Sequence, residues 1–216
     1  MTKRGRKPRS GTPGASPGSA GRAATVKRVS GETSVTLRLN VDGSGKTRIT
    51  TPIPFFSHML DAFCRFANVD LDLEATGDIQ IDQHHTVEDV GLALGQALRE
   101  ALGERRGIRR TGSASVPMDD ALGFCAVDFS GRPFSVFEAT FTKERQGELE
   151  LDLVPEFFRS LANASKANWH LRIHYGENEH HKVEALFKSA GSALAAAVTR
   201  DPARGATVPS TKGMLE

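Results

Sequence analysis

The motif His-His-x-x-Glu occurs twice in this chain, as His84-His85-Thr86-Val87-Glu88 and, 96 residues later, as His180-His181-Lys182-Val183-Glu184. Five of the seven histidines lie in these two patches or, for His58, one short helix away. Imidazole and carboxylate together suit a divalent transition ion such as Mn2+, Fe2+ or Zn2+. Adjacent helical residues project about 100° apart, so the histidines of one pair cannot easily share an ion. Either can pair with the glutamate three or four residues on. The simplest arrangement uses two ions, each taking one histidine from each patch. Glu88 and Glu184 complete them, with His58 and Glu156 as further ligands. Octahedral Mn2+ tolerates such mixed shells and leaves positions open for a substrate. Helix capping explains one such pair as well as ligation does, but two pairs with identically spaced glutamates favour the ions. The zinc-protease pattern HExxH occurs in neither patch.

Groups suited to a phosphate are scattered. Arg109-Arg110 precede a loop, Arg132 sits in the turn Ser130-Gly131-Arg132-Pro133, and Lys188 follows Glu184 by one helical turn. Ser210 and Lys212 belong to the closing stretch 209–213. Arg, Lys and Ser donors match phosphate oxygens, although any one of them alone is an ordinary surface group. Pro117-Met118-Asp119-Asp120 adds two acids at a turn, and His170 and His174, alternating on one strand face, read as mostly structural.

The scaffold for these residues repeats. Residues 34–41 alternate apolar and polar as a half-buried strand does, and Asp42-Gly43-Ser44-Gly45 turns the chain into 46–50. After Pro52 and Pro54, the stretch 55–67 places Phe55, Met59, Phe63 and Phe66 at helical spacing. Residues 69–75 alternate again, and 79–82 follow Gly77-Asp78. The first patch opens a helix with the stripe Val87, Val90, Leu94, Ala97, Leu98 and Leu102, stopped at Gly103. In the second half, 121–129, 134–141, 148–153 and 169–175 are strand-like, and 156–166 and 183–198 are helical. Val87 aligns with Val183, Gly95 with Gly191 and Leu98 with Leu194, while at an offset of 98 His58 falls opposite Glu156. This pattern predicts an α+β fold of two duplicated half-units, each a small sheet with helices on one face. The helix pairs bury against each other and leave the sheets outside. Half-unit one covers about 25–112 and half-unit two about 113–205, followed by a phosphate-binding tail, 206–216.

At 216 residues the chain can bury a real core, and no apolar run approaches the roughly 20 residues that cross a bilayer. Cys64 and Cys125 sit in apolar contexts and read as reduced, buried thiols of a cytoplasmic protein. The formal net charge of +2 misleads, because Lys3, Arg4, Arg6, Lys7, Arg9 and Arg22 stand in residues 1–24 without an acid. The remainder is mildly acidic. Residues 1–24, rich in Gly, Pro, Ser and Arg, cannot offset their ordering entropy by burial and read as a disordered basic tail. With no aromatic to stack on a base, that tail is a poor nucleic-acid reader, and no membrane partner is expected.

DQHHTVEDVG, NEHHKVEALFKSA, PFFSHMLDAF, PMDDALG, DFSGRP and VPSTKG together resemble the imidazoleglycerol-phosphate dehydratase family, in register over roughly 26–216. The resemblance implies two four-stranded sheets around a helix layer and a homo-oligomer, a 24-subunit shell with active sites between subunits. It implies dehydration of D-erythro-imidazole-glycerol 3-phosphate to imidazole-acetol phosphate in histidine biosynthesis, with two Mn2+ per active site. The metal ligands it carries over are His58, His84, His85, Glu88, His180, His181 and Glu184. Glu156, as a candidate eighth, stands where some relatives have histidine. Substrate contacts carried over are Glu32, Gln83, Arg110, Arg132, Lys188, Ser210 and Lys212, with His58 also facing the substrate.

The implied chemistry fits these residue types. Two metals on the imidazole nitrogens would favour an imidazolate able to push out the neighbouring hydroxyl, after which a C–H proton leaves and the product tautomerises to the ketone. A carboxylate must shuttle the protons. Glu32 and Asp119 are the candidates, with Glu88 or Glu184 able to serve if a ligand detaches. A metal-storage shell would use the same ligands but has no need of Arg110, Arg132 and the Ser210/Lys212 segment.

Overall fold

The computed structural model describes residues 21–213. Its elements run β1 Ala23–Val29, β2 Thr33–Asn40, β3 Thr47–Thr50, α1 Pro54–Ala67, β4 Asp70–Gly77 and α2 His84–Leu102. The series then repeats as β5 Thr111–Met118, β6 Ala121–Asp128, β7 Phe134–Glu138, α3 Leu153–Ser165, β10 Asn168–Tyr175 and α4 Glu179–Val198. A small hairpin, β8 Arg145–Gln146 with β9 Leu149–Glu150, is inserted only in the second series. The sheets have matching orders, β1-β2-β4-β3 and β5-β6-β10-β7, and in each the outermost pair is parallel (β3 with β4, β7 with β10). The expected α+β duplication, sheet over helix layer over sheet, is what the chain adopts.

Alternation along the strands decides which way each sheet faces. Val35, Leu37 and Leu39 of β2 and Leu71, Leu73 and Ala75 of β4 point inward, as do Cys125 and Val127 of β6 and Trp169 and Leu171 of β10. Fully burying one such large side chain contributes about 1.5–3 kcal/mol. Between the sheets the helices pair across the halves: α2 packs on α3, and α1 on α4. Gly91 lies against Phe157 and Ser160, and Gly95 against Leu161 and Ser165, so α2 and α3 run side by side in the same direction. A Cβ on Gly91 would come within 2.8 Å of the Phe157 carbonyl, which explains glycine at that crossing. Among the described residues no helix is long and apolar enough to cross a membrane.

Several expected boundaries move. Residues 1–20 of the anticipated tail lie outside the described residues, but Ala23 and Ala24 open β1, and Arg22 is anchored by Asp42 and the Val198 carbonyl. Thr111–Met118 is a strand rather than a loop, so the second unit begins before 113. Its inward residues, Gly112, Ala114 and Val116, are too small to give a clear apolar alternation. Residues 79–82 form a turn. Of 148–153 only Leu149–Glu150 is strand, and α3 begins at Leu153, three residues earlier than the helical spacing suggests.

Candidate active site

Each histidine pair opens a helix, where backbone N–H groups lack intrahelical partners. At α4, Asn178 caps through its side-chain oxygen, accepting from the amides of His180 (2.9 Å) and His181 (3.4 Å). At α2, Asp82 does this, accepting from His84 N at 2.8 Å. The first histidine of each pair turns toward its own i+4 glutamate. His180 Nε2 lies 3.0 Å from Glu184 Oε2, and His84 Nε2 lies 3.9 Å from Glu88 Oε2.

The third member of each group comes from the other half. His58 on α1 reaches Glu184 at 3.5 Å, and His58, His180 and Glu184 offer ligand atoms within 4.8 Å of one another. His84, Glu88 and Glu156 on α3 do the same. Within one chain, therefore, neither group takes histidines from both patches, contrary to the simplest two-ion arrangement. The reason is the helix pairing, which brings α3 to the first patch and α1 to the second. Imidazole with carboxylate oxygen is a donor set that fits a divalent transition ion in both groups.

The second histidine of each pair turns the other way. His85 Nδ1 meets Asp78 at 3.1 Å and its Nε2 faces Glu32 at 3.8 Å. His181 Nδ1 meets Asp120 at 2.5 Å and its Nε2 faces Asp119 at 3.4 Å. A carboxylate on Nδ1 fixes the ring and presents Nε2 as the free nitrogen, the outer-shell arrangement typical of metal-binding histidines. The Asp78 hydrogen bond, with help from Glu32, raises the His85 pKa despite some desolvation. His181, together with the backbone amides of Asn178 and Glu177, holds Asp120 far below the usual carboxylate range. Burial pushes Glu184 upward, but hydrogen bonds from Lys188 and His180 outweigh it and lower its pKa. Phe55 packs edge-on against His180, with ring centroids 5.1 Å apart. Sequence reads Asp120 only as one of two acids at a turn, and it assigns no site role to Asp78 or Phe55. Their only signal was an acid at a strand-end turn and an aromatic on the helix carrying His58.

Other candidates are placed differently. Gln83 is tied to the inserted hairpin, donating to the Glu148 carbonyl (2.6 Å) and accepting from Glu150 N (3.3 Å). Lys188 is 2.5 Å from Glu184 Oε1. The Arg110 fork grips Asp128 at 2.6 and 2.9 Å, and its remaining nitrogen donates to the Pro209 carbonyl at 2.8 Å, which brings Ser210 alongside. Lys212 is exposed and donates its amide to Ser210 Oγ. Exposed Arg132 follows Gly131, whose amide bonds the Lys166 carbonyl at the C-terminal end of α3. Arg110 N likewise bonds the Ala197 carbonyl near the end of α4. The ligand groups thus sit at the N-terminal ends of the helices, and Arg110, Arg132 and Ser210 at the C-terminal ends. Glu184 and Ala197 are about 20 Å apart at ~1.5 Å rise per residue.

A family model described as imidazoleglycerol-phosphate dehydratase matches residues 51–194. The imidazoleglycerol-phosphate dehydratase of Roseiflexus sp. is 52% identical over 194 residues, covering 90% of this chain and 98% of its own. That of Acetivibrio thermocellus is 52% identical over 190 residues, covering 88% and 97%. Among solved structures, the enzyme from Pyrococcus furiosus superposes with a TM-score of 0.76 at 36% identity over 88% of this chain and 100% of its own. The Staphylococcus aureus enzyme gives 0.75 at 33% identity over 82% and 99%.

Proposed function

This chain belongs to the imidazoleglycerol-phosphate dehydratase family, hydro-lyases of histidine biosynthesis, and on that premise we propose that it works as a two-metal enzyme completed between subunits. The observation that carries the reading is the pair of imidazole–carboxylate groups, each assembled from both halves of the chain. Divalent ions held there, Mn2+ foremost, would stabilise negative charge on the substrate's imidazole nitrogens.

The chain's own groups supply the rest. The reaction takes D-erythro-imidazole-glycerol 3-phosphate to imidazole-acetol phosphate and water. The carbon beside the ring loses its hydroxyl with the bonding pair, the next carbon loses its hydrogen as a proton, and the enol becomes the ketone. Glu32 and Asp119 are exposed carboxylates beside the Nε2 edges of His85 and His181, free to take the C–H proton and to protonate the departing hydroxyl. Glu88 and Glu184 are alternatives of the same chemistry. Arg110, Arg132, Ser210 and Lys212 bind the phosphate and orient the reacting carbons.

Reach supports an oligomer with shared sites, while its proposed size, a 24-subunit shell, rests on the family resemblance. Ring carbon and phosphorus are five bonds apart in the substrate, less than about 8 Å at ~1.5 Å per bond. One chain holds its ligand groups and Arg110 roughly 20 Å apart along α4. On this reading a second copy brings the phosphate side to the metal side, which would also let histidines from two patches share an ion. A cytoplasmic location accords with two free, buried thiols.

The deciding experiment follows turnover by metal-stripped protein before and after Mn2+, with particle size measured on the same samples. Turnover that appears only with Mn2+, in a species of many subunits, is the expected result. Full turnover without any divalent ion would end the two-metal proposal.

A further inference from the structure

We infer that the two ligand groups differ in metal preference: the group on α2 and α3 favours hard, oxygen-seeking ions, and the group on α1 and α4 favours nitrogen-seeking ones. The inference rests on the two-metal reading above and deepens it.

Donor composition is the first ground. His84, Glu88 and Glu156 offer one nitrogen and two carboxylate oxygens, whereas His58, His180 and Glu184 offer two nitrogens and one. Any imidazole a second copy adds, through His85 or His181, contributes one nitrogen to either group, so the difference persists in the assembled site. Carboxylate-rich sites suit Mn2+ and Mg2+, and imidazole-rich sites suit Zn2+, Ni2+ and Co2+.

Charge is the second ground. Each group has one attached cation: Arg159 is ion-paired with Glu156, and Lys188 with Glu184. With neutral histidines, the first group keeps one uncompensated negative charge and the second keeps none. The surroundings of Glu156 are arranged for a carboxylate. Arg159 and Ser160 both donate to its Oε1, at 3.2 and 3.3 Å. At the positions matching Arg159 and Ser160, α1 carries Asp61 and Ala62, and Asp61 is itself neutralised by Arg65 at 2.6 Å. The i+3 neighbour has reversed sign together with the ligand. A carboxylate has about four lone-pair sites, so Glu156 can face an ion while Arg159 and Ser160 remain bound.

The test titrates the metal-stripped full-length protein with Mn2+, followed by the paramagnetic resonance of the free ion, and separately with Ni2+, followed by calorimetry. For Mn2+ donor type and charge act together, so it should fill two classes of site separated by about tenfold or more, the scale set by one extra unit charge beside a divalent ion even in high dielectric. For Ni2+ the same charge opposes the nitrogen preference, so its two classes should lie closer together, with the imidazole-rich group still filling first. His84→Ala should remove the tight Mn2+ class, and His58→Ala the tight Ni2+ class. Glu156→His should bring the two Mn2+ affinities together. A single affinity class for both ions in the unmodified protein overturns the inference whatever the variants do, as does the same group filling first with both ions. Absence of uptake of either ion would overturn the two-metal reading itself, and this inference with it.

Discussion

In the first half of the chain, the helix preceding the patch sends His58 to its neighbour, and in the second half the equivalent helix sends Glu156. Similar contrasts recur around the patches. The residue two places after the first histidine is Thr86 in α2, its hydroxyl buried without a hydrogen-bond partner, and Lys182 in α4. Lys182 is paired with the fully buried Glu179 at 2.7 Å and donates to the Thr140 carbonyl. The aspartate that holds the second histidine leaves the end of β4 in one half and the β5–β6 turn in the other. Gly91, which lets α2 touch α3, is matched in α4 by Phe187, stacked on Phe157 at 5.4 Å. The backbone plan and the ligand positions are thus held in common, while the polar support beneath them is built separately in each half.

If both patches serve one reaction, His84→Ala and His180→Ala should each lower kcat/KM by more than about a thousandfold, since on the two-metal proposal each removes a direct ligand of a charge-stabilising ion. Steady-state kinetics of the two variants side by side checks this, and near-normal turnover in either would break the equivalence. In stability the halves should part. Lys182→Met removes the cation paired with buried Glu179, leaving that carboxylate only its hydrogen bonds from Thr142 N and Oγ1 at 2.7 and 2.6 Å, and should cost about 3–5 kcal/mol in denaturant unfolding. A loss below about 1 kcal/mol would mean that the Thr142 hydrogen bonds alone are enough to hold the Glu179 carboxylate. Asp78→Asn and Asp120→Asn should each weaken metal binding by about 10–100-fold by loosening the second histidine. The Asp120 change should be the larger, because that carboxylate also accepts from the amides of Glu177 and Asn178. Equal effects would place the whole loss at the imidazole. Thr86→Val should change stability by no more than about 1 kcal/mol, and in the stabilising direction, because it removes an unpaired buried hydroxyl at nearly constant shape. A clear destabilisation would show that the hydroxyl is satisfied in solution.

Much of this plan is legible in the residues themselves. The patches, the helices behind them and the equivalence of His58 with Glu156 follow from spacing alone. That His58 serves the second patch and Glu156 the first does not, because it depends on α1 packing against α4 and α2 against α3, a tertiary choice with no local signature. Strand β5 was hidden because Gly112, Ala114 and Ser115 give almost no hydropathy contrast. Asp78 and Asp120 looked like ordinary turn acids until the fold brought imidazoles to them. The family resemblance supplied Gln83 and Arg110 as substrate contacts. In this chain both are engaged with backbone or carboxylate partners, which spacing does not reveal.

The crosswise helix layer bears on ancestry. One half-unit alone contains a patch and the helix that serves the other patch, never both parts of the same group. A primordial protein of half this length would have built such groups only as a pair of identical copies exchanging helices. Joining two such copies end to end would make that exchange internal, and would free one position to be histidine and its twin glutamate, as His58 and Glu156 are here.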